Sequence, residues 1–365
     1  MKPTRVGIVG AGQLGRMLAL AGYPLGVRCL FLDRSADTPG AQVAPSLIGG
    51  LQDPALLGEL ASRSSVVTFD WENIAGSALE PLEKITRIRP PRAALEVAQD
   101  RLAEKALFTK LKIPVAAHAA IDSRDQLIQA LVKMGVPGVL KTRRLGYDGK
   151  GQFVLRSAAD IDQAWAAMGA ADLVYETFQN FSRELSLIGA RSADGRIVFY
   201  PLSANTHAGG ILRYSTAPFT SARLERNARL YLRRVMQALE YVGILAIEFF
   251  VVNGRLIANE MAPRVHNSGH WTIEGCVTSQ FENHLRAICD MPLGSVRALG
   301  HTAMINFLGC MPERERLLGV EGLAYHDYGK TARPGRKLGH CTILRRLPKE
   351  RDAALASTLR LIKCI

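Results

Sequence analysis

Two acidic residues on neighbouring predicted strands are the side chains of this chain best suited to chemistry. Glu248 lies within an apolar, strand-like run, and Glu260 follows a second apolar run that begins after the turn Asn253-Gly254. Two buried carboxylates are costly unless a positive charge lies between them. Mg²⁺ meets that need, because it binds one or two carboxylates together with substrate phosphates. The arginine, histidine and asparagine that follow could hold small anions, so this stretch predicts a phosphoryl-transfer site.

The register of this hairpin decides whether the two carboxylates share a face. A two-residue turn at Asn253-Gly254 would place Glu248 opposite Asn259 and would point Glu260 to the other side. A three-residue loop with a bulge after Gly254 would place Glu248 directly across from Glu260. We predict the bulged register, because a shared metal needs both carboxylates on one face. An edge strand with solvated acids is the alternative.

A glycine-rich turn near the N-terminus is the second candidate site. Residues 10–15 match the G-x-G-x-x-G fingerprint between a predicted strand and helix, and Asp33 ends the next strand. The glycines indicate a tight turn whose amides can accept any phosphate, since helix N-termini bind anions generally. A nicotinamide site, a phosphate site and a purely structural turn therefore all stay open.

A second glycine-rich segment carries positive charge. Lys141 ends a predicted strand, and three glycines and Lys150 follow within residues 146–151. The segment lacks the P-loop pattern, and a nucleotide-covering flap is favoured over an exposed flexible hairpin. Residues 176–179 end another strand and could face a base, while Glu184 could accept ribose hydroxyls or simply be solvated.

Composition limits the remaining classes. The chain has 365 residues, 48% of them hydrophobic, with a formal charge of +13 and a pI near 9.7. This length allows two or three domains, and the charge suits anionic ligands such as nucleotides. Four arginines share one face of a predicted helix without interleaved aromatic residues, which favours a solvated face over nucleic-acid binding. They are Arg223, Arg226, Arg229 and Arg233.

Cysteine spacing and hydropathy bear on the cellular compartment. The six cysteines form no C-x-x-C pair and lie mostly in apolar runs, which predicts reduced thiols in a cytoplasmic protein without zinc or disulfides. His266 and His270 are four residues apart, but no helical pattern supports a zinc pair. No apolar run approaches the ~20 residues of a membrane span, so no membrane partner is expected.

The order of predicted elements indicates α/β and α+β parts. Residues 1–95 alternate strands and helices, as in a parallel sheet, until Pro90-Pro91 breaks the pattern. We predict helices at Ser77–Ile85 and Gln99–Leu111. Hairpins joined by one long helix follow from Glu184 to Ala262, and a glycine- and proline-rich part with short strands and a final helix follows residue 295.

Four segments carry a resemblance to known proteins: residues 12–17, 146–152, 262–271 and 333–340. The chain resembles the ATP-grasp superfamily from about residue 5 to residue 342, and within it the N5-carboxyaminoimidazole ribonucleotide synthetase family. The third segment separates this family from other ATP-grasp enzymes. A departure lies in residues 68–74, where Phe-Asp-Trp stands in place of the commoner Tyr-Glu-Phe.

The resemblance implies a fold and an activity. The fold would comprise a Rossmann-like domain at 1–95, an ATP-grasp domain at 96–295 with a lid at 115–180, and a small β-rich domain at 296–365. ATP, Mg²⁺ and bicarbonate would serve to carboxylate 5-aminoimidazole ribonucleotide through carboxyphosphate, in a cytoplasmic homodimer of purine biosynthesis. Another ATP-grasp ligase with a different acceptor is the alternative.

The resemblance also implies roles for individual residues. Glu248 and Glu260 would bind Mg²⁺. The catalytic residues would be Lys150, Arg264, His266 and Asn267. ATP would be bound by Arg101, Lys141, Gly146, Tyr147, Asp148, Gly149, Lys150, Gly151, Gln152, Glu176, Thr177, Phe178, Gln179, Glu184, His207, Asn259 and Glu260. The ribonucleotide would be bound by Gln13, Leu14, Gly15, Glu72, Tyr147, Asp148, Arg264, Ser268, Lys330 and Arg336.

Overall fold

The N-terminal part builds a parallel sheet with helices on both faces. The computed structural model describes residues 4–146, 149–169 and 171–362. Its first strands are β1 (Arg5–Val9), β2 (Arg28–Asp33), β3 (Ser46–Ile48), β4 (Val66–Phe69) and β5 (Arg87–Ile88). They are ordered β3-β2-β1-β4-β5, and every pair is parallel. The nearly continuous burial of β1 and β4 is typical of a parallel sheet covered on both faces.

Four helices accompany this sheet: α1 (Gln13–Gly22), α2 (Pro54–Ser62), α3 (Gly76–Leu79) and α4 (Arg92–Ala98). The single helix predicted at 77–85 is wrong in its length. It is a short α3 followed by a 3₁₀ turn at Glu80–Lys84. Pro81 has no N–H to continue the α-helical hydrogen bonds, which accounts for the change.

A small antiparallel sheet follows. It contains β6 (His118–Ile121), β7 (Gly138–Thr142), β8 (Gln152–Leu155) and β9 (Leu173–Thr177), in the order β6-β9-β7-β8. The helices α5 (Arg101–Lys110), α6 (Arg124–Met134) and α7 (Ile161–Met168) belong to this part of the chain. Helix α5 begins two residues later than the predicted Gln99, because the side chain of Asp100 accepts a hydrogen bond from the amide of Leu102 and caps it.

The largest sheet carries the remaining strands. They are β10 (Arg183–Arg191), β11 (Ile197–Phe199), β12 (Ser203–Ala208), β13 (Ile211–Ala217), β14 (Gly243–Val252), β15 (Arg255–Ala262), β16 (His301–Leu308), β17 (Leu323–Asp327) and β18 (Lys337–Arg345). The order is β15-β14-β10-β12-β13-β16-β18-β17, with β11 paired to β10. The C-terminal strands therefore extend the central sheet through the pairing of β13 with β16.

Five helices pack with this sheet: α8 (Ala222–Ala238), α9 (Thr272–Gly275), α10 (Gln280–Ile288), α11 (Arg314–Leu318) and α12 (Pro348–Leu361). Helix α8 buries Leu224, Leu232 and Met236, and its four evenly spaced arginines are exposed, as predicted. No helix in the described ranges is both long and apolar enough to cross a bilayer.

Helix α10 joins the N-terminal part to the large sheet. One buried apolar cluster contains Leu14 and Leu18 of α1 together with Leu285 of α10. His284 adds a polar link, since its Nε2 lies 2.8 Å from Thr68 Oγ1 and its Nδ1 accepts the amide of Ile244 at 3.1 Å. This packing holds the glycine-rich turn beside the central sheet.

The expectation that no cysteine forms a disulfide is wrong. Cys29, Cys276, Cys289 and Cys341 are free, but Cys310 is disulfide-bonded. The sequence argument rested on local spacing, and the absence of a C-x-x-C pair does not exclude a bond between cysteines that are distant in sequence.

Candidate active site

The hairpin of β14 and β15 places the two carboxylates opposite each other. Glu248 pairs with Glu260, which confirms the predicted register. The predicted position of the bulge is wrong, because Val252 pairs with Arg255 across a two-residue turn and the extra residue is Asn259. Asn253 and Gly254 adopt the positive φ values that a two-residue turn requires, so the turn itself needs no extra residue. The bulge lies instead beside the carboxylates.

The electrostatics of this pair favour a bound cation. Burial, and then the charge of Glu260, raise the pKa of Glu248 to about 7. Arg101 donates to Glu260 Oε2 at 3.0 Å, whereas the Nε2 atom of His266 lies 3.7 Å from Glu248 Oε1. Burial, and then the charge of Arg264, hold the pKa of His266 well below its usual value, so its ring stays neutral. Glu248 is thus a largely buried acid that faces another carboxylate and a neutral imidazole, and the charges of His207 and Lys337 only partly offset the rise in its pKa.

The ligand atoms at this hairpin suit Mg²⁺. Asn259 Oδ1 is buried without a hydrogen-bond partner in the described structure, and it adjoins the two carboxylates. Hard cations prefer such oxygen ligands, and Mg²⁺ completes its octahedral shell with water and substrate phosphates. Within the described ranges no cluster of three His, Cys, Asp or Glu side chains is arranged to hold a metal.

A cleft of about 370 Å³ opens in front of the carboxylates. The predicted site residues that line it are Arg101, Lys141, Gly149, Lys150, Gly151, Gln152, Glu184, His207, Glu248, Asn259, Glu260, His266 and Asn267. The glycine-rich flap reaches across the cleft, since a side chain at Gly149 would come within 2.8 Å of the carbonyl oxygen of Gly209. The structure thus brings together the flap, the hairpin and the segment after it.

Sequence reasoning missed five residues that line the cleft: Phe181, Gly210, Leu212, Phe250 and Lys337. Phe181 and Phe250 stack with ring centroids 4.6 Å apart and form an apolar wall. Lys337 lies within residues 333–340, so this motif could have identified it. Phe181 precedes β10 and Phe250 lies on β14, so the two phenylalanines are distant in sequence and give no local signal.

Lys105 is a further missed residue. Its ammonium group is almost fully buried on α5 and forms an ion pair with Glu176 Oε2 at 3.1 Å, while Lys141 donates to the same oxygen at 3.1 Å. Burial works against the charge of Glu176, but Lys141 and then Lys105 outweigh it and lower the pKa of Glu176 to about 2. The carboxylate of Glu176 thus holds Lys141 at the edge of the cleft. That the backbone of residues 176–179 contacts the adenine base stays a prediction.

His207 and Glu184 form a pair on the neighbouring strands. His207 Nδ1 lies 2.5 Å from Glu184 Oε2, and a register shift between Thr206 and His207 turns the imidazole towards β10. Burial lowers the pKa of His207, but the hydrogen bond to Glu184 and the charge of Glu248 outweigh it, so the pKa is raised. Its surroundings therefore favour the protonated form of His207 more than water does.

The N-terminal turn lies against a second group of acids. The carboxylate of Asp70 accepts the amides of Gly15 and Gly12, and its pKa is raised to about 6, chiefly by burial and against the charge of Arg264. Asp33 accepts the amide of Ala11 at 2.7 Å. Asp33, the acid that a dinucleotide site would use to bind a ribose, is thus bonded to an amide of the turn itself. This bond argues against a nicotinamide site.

Four of the predicted site residues form two pairs beside this turn. Arg264 donates through Nε and Nη2 to the two oxygens of Glu72, each at 2.6 Å. Lys330 donates to Gln13 Oε1, which joins the C-terminal part to the glycine-rich turn.

Three separate family models match the chain. Residues 3–99 match the ribonucleotide synthetase pre-ATP-grasp domain, residues 106–281 the ATP-grasp domain, and residues 302–354 the phosphoribosylaminoimidazole carboxylase C-terminal domain. The N5-carboxyaminoimidazole ribonucleotide synthase of Pseudomonas aeruginosa is 45% identical over 93% of this chain and 94% of its own length. The chain belongs to the N5-carboxyaminoimidazole ribonucleotide synthetase family.

Solved structures agree with this membership. The N5-carboxyaminoimidazole ribonucleotide synthetase of Thermus thermophilus is 46% identical, with a TM-score of 0.94 and coverage of 99% of both chains. The Aspergillus clavatus enzyme, solved with ADP and 5-aminoimidazole ribonucleotide, is 29% identical, with a TM-score of 0.94 and coverage of 100% of both chains. The chain is therefore an ATP-grasp ligase with a pre-ATP-grasp domain, a central ATP-grasp domain and a C-terminal domain, as the sequence predicted.

In this ATP-grasp ligase some predicted contacts need revision. The side chain of Leu14 packs in the core, so only its backbone is available to a ligand. Ser268 is fully buried, and its hydroxyl lies 2.8 Å from His266 Nδ1 rather than in the cleft. Arg336 donates to the carbonyl of Thr331.

The remaining predicted residues surround the cleft or lie outside the described residues. A side chain at Gly146 would contact Arg101 and Thr142 at the base of the flap. The segment after β9 is held by local bonds, since Gln179 donates to the carbonyl and hydroxyl oxygens of Thr177 and Phe178 is half exposed. Tyr147 and Asp148 lie outside the described residues.

Proposed function

We propose that the chain catalyses the carboxylation of 5-aminoimidazole ribonucleotide by bicarbonate, with ATP converted to ADP and phosphate. The observation that carries this proposal is the facing pair Glu248 and Glu260 in a cleft whose lining also includes the basic side chains of Arg101, Lys141, Lys150 and Lys337. Such a site fits a triphosphate and its cation. Close relatives named for this reaction, and a relative solved with this ribonucleotide, support the choice of acceptor.

In the first step a bicarbonate oxygen attacks the γ-phosphorus of ATP, and the bond to the β-phosphate oxygen breaks to release ADP. Negative charge spreads over the phosphoryl oxygens in the transition state. Arg101, Lys141 and Lys150 are placed to stabilise that charge in a partly enclosed cleft, where electrostatic interactions are stronger than in water. Glu248, Glu260 and Asn259 would hold Mg²⁺, which supplies charge neutralisation at the phosphates.

In the second step the exocyclic amine of the ribonucleotide attacks the carboxyl carbon of carboxyphosphate. The carbon–oxygen bond to the phosphoryl group breaks, and phosphate leaves with the proton from the amine. His266 and Asn267 line the same cleft, and their role would be to bind the carboxylate being transferred. Carboxyphosphate decomposes in water, which gives closure of the flap at residues 149–151 a purpose.

The proposal includes features that rest on the resemblance alone. These are the domain limits 1–95, 96–295 and 296–365, a homodimer, and a location in the cytoplasm. The roles of individual residues come from the same resemblance, and the lining of the cleft supports those of the hairpin and the flap.

ADP release by the purified chain tests the proposal when Mg-ATP, bicarbonate and the ribonucleotide are omitted one at a time. We expect ADP formation to need all three, with one carbamate formed for each ADP. ADP formation that ignores the ribonucleotide would retain the ATP site and reject the acceptor, in favour of another ATP-grasp ligase. No ADP under any mixture would reject the reaction.

A further inference from the structure

A chain of buried hydroxyl and amide groups crosses the central sheet and ends at His266. Ser215 on β13 donates to Asn205 Oδ1 on β12 at 2.8 Å, and Asn205 Nδ2 donates to Ser186 Oγ on β10 at 3.1 Å. Ser186 in turn donates to Ser268 Oγ at 2.7 Å. The Ser268 hydroxyl lies 2.8 Å from His266 Nδ1. The chain thus links three strands to one side chain of the cleft.

The direction of these bonds determines where the last proton lies. Ser186 Oγ accepts the Asn205 amide and also lies 2.8 Å from Ser203 Oγ. With Ser203 as the donor of that bond, the proton of Ser186 is directed to Ser268. Because Ser268 Oγ accepts that proton, its own hydroxyl proton is available for His266 Nδ1. The backbone amide of Ser268 also donates to Nδ1, at 3.3 Å. Both donors require Nδ1 to be the unprotonated nitrogen of a neutral ring, so the proton lies on Nε2.

The Nε2 atom is the one that faces the reaction. It lies 3.7 Å from Glu248 Oε1, and His266 lines the same cleft as the hairpin carboxylates. A ring held in this tautomer donates a hydrogen bond from Nε2 and does not accept a proton there. Such a donor suits an oxygen that gains negative charge, because preorganised donors stabilise developing oxyanions.

We propose that Ser186 and Ser268 are positioning residues that fix His266 in the Nε2–H form, so that it donates to an oxyanion of the carboxyl group being transferred. The identity of that oxyanion rests on the proposed function, whereas the tautomer does not. A network of five buried polar side chains is costly in the core of a sheet, because a partly satisfied network is less stable than apolar packing. The five are Ser186, Ser203, Asn205, Ser215 and Ser268. A role in positioning His266 accounts for this cost.

The first test measures the ring nitrogens directly. The full chain is labelled with ¹⁵N-histidine, and His266 is identified by comparison with the variant His266→Gln. We expect a protonated Nε2 and an unprotonated Nδ1 in the unsubstituted chain, and a mixture of tautomers in Ser268→Ala and Ser186→Ala. A protonated Nδ1 in the unsubstituted chain, or an unchanged tautomer in both variants, would overturn the proposal. The spectra need no substrate, so this failure differs from failure of the proposed reaction.

The second test asks whether the two serines act through the same residue. Removing a partner that orients a hydrogen-bond donor should lower kcat about tenfold in Ser186→Ala, with the KM for ATP changed by less than about twofold. If the residues act as one chain, Ser186→Ala adds nothing to Ser268→Ala in the double variant. Losses that multiply in the double variant would mean independent roles and would contradict the proposal.

A matched control is the buried Ser192, just past the end of β10. Among the described residues its hydroxyl hydrogen-bonds within its own turn, to Asp194 Oδ1 and to the carbonyl of Arg196. Ser192→Ala should leave kcat and the His266 spectrum unchanged. An equal loss of kcat in this control would show that any buried serine of the sheet matters, which would remove the case for positioning.

Discussion

The carboxylates of the β14–β15 hairpin and those around the N-terminal turn differ in what neutralises them. At the turn, Asp33 and Asp70 accept backbone amides, and Glu72 holds the guanidinium of Arg264. At the hairpin, Glu248 faces Glu260, another acid, and a neutral histidine. At the turn the acids bond to protein amides and to a guanidinium, whereas the facing carboxylates of the hairpin are the place that we propose for a cation. Acids of similar type thus have different partners in the two regions, and the proposed Mg²⁺ site belongs to the hairpin.

The replacement Glu248→Gln should have the largest effect on this contrast. It removes a negative charge from the proposed Mg²⁺ site, and we expect kcat for ADP formation to fall about 10³-fold, a loss typical of a lost transition-state charge contact. Steady-state ADP release measures it, and circular dichroism checks that the fold persists. Retention of more than about a tenth of kcat would reject Glu248 as a metal ligand.

Asn259 sharpens the account of the bulge. Asn259→Ala removes a buried oxygen beside the carboxylates, and we expect the apparent dissociation constant for Mg²⁺ to rise about tenfold, as for other groups that support a metal site. Titration of ADP formation with Mg²⁺ gives this constant. Asn253→Gly, in the turn of the same hairpin, is the control and should leave it unchanged. An equal change in the control would assign the effect to hairpin geometry.

Lys150 tests whether the flap protects an intermediate. Lys150→Ala should uncouple the reaction, so that the carbamate formed per ADP falls below about half, because water then reaches carboxyphosphate. The two products are counted in the same reaction mixture. Lys133→Ala on the exposed face of α6 is the control. One carbamate per ADP in Lys150→Ala would contradict a protective role.

The raised pKa of Glu248 predicts a pH dependence of stability. Its pKa is about 7 in the folded chain against an ordinary 4.5, so between these values the folded chain binds more protons than the unfolded chain. The free energy of unfolding, measured without Mg²⁺, should therefore fall as pH rises from about 4.5 to about 7. Glu248→Gln should reduce this slope, while the similar contribution of Glu104, with a pKa of about 8, remains in both proteins. Equal slopes would contradict the prediction.

Asp33 should have the smallest effect on activity. Asp33→Ala leaves the Ala11 amide without its partner, so we expect the free energy of unfolding to fall by about 1–2 kcal/mol. Because the turn is satisfied internally, kcat for ADP formation should change by less than about twofold. Urea unfolding and ADP release give the two numbers. A large loss of kcat at unchanged stability would assign the turn's acid to chemistry and break the comparison.

The sequence predicted those parts of the molecule in which the local residue pattern and the requirements of the expected chemistry indicate the same structure. The facing of Glu248 and Glu260 followed from the need for a common face, and the parallel N-terminal sheet followed from alternating elements. The position of the bulge could not be predicted, because Asn253 and Gly254 are compatible with both registers of the hairpin. Lys105 was missed since a lysine on a short helix looks solvent-exposed. The role of Ser268 was misassigned because its partner Ser186 lies 82 residues away.

The most direct test of the central claim follows oxygen from bicarbonate into phosphate. If the hairpin site transfers the γ-phosphoryl group to bicarbonate, one oxygen of the released phosphate comes from bicarbonate. With ¹⁸O-labelled bicarbonate, Mg-ATP and the ribonucleotide, mass spectrometry should find one ¹⁸O atom in each phosphate formed with the carbamate. Unlabelled phosphate formed in step with the carbamate would contradict the account.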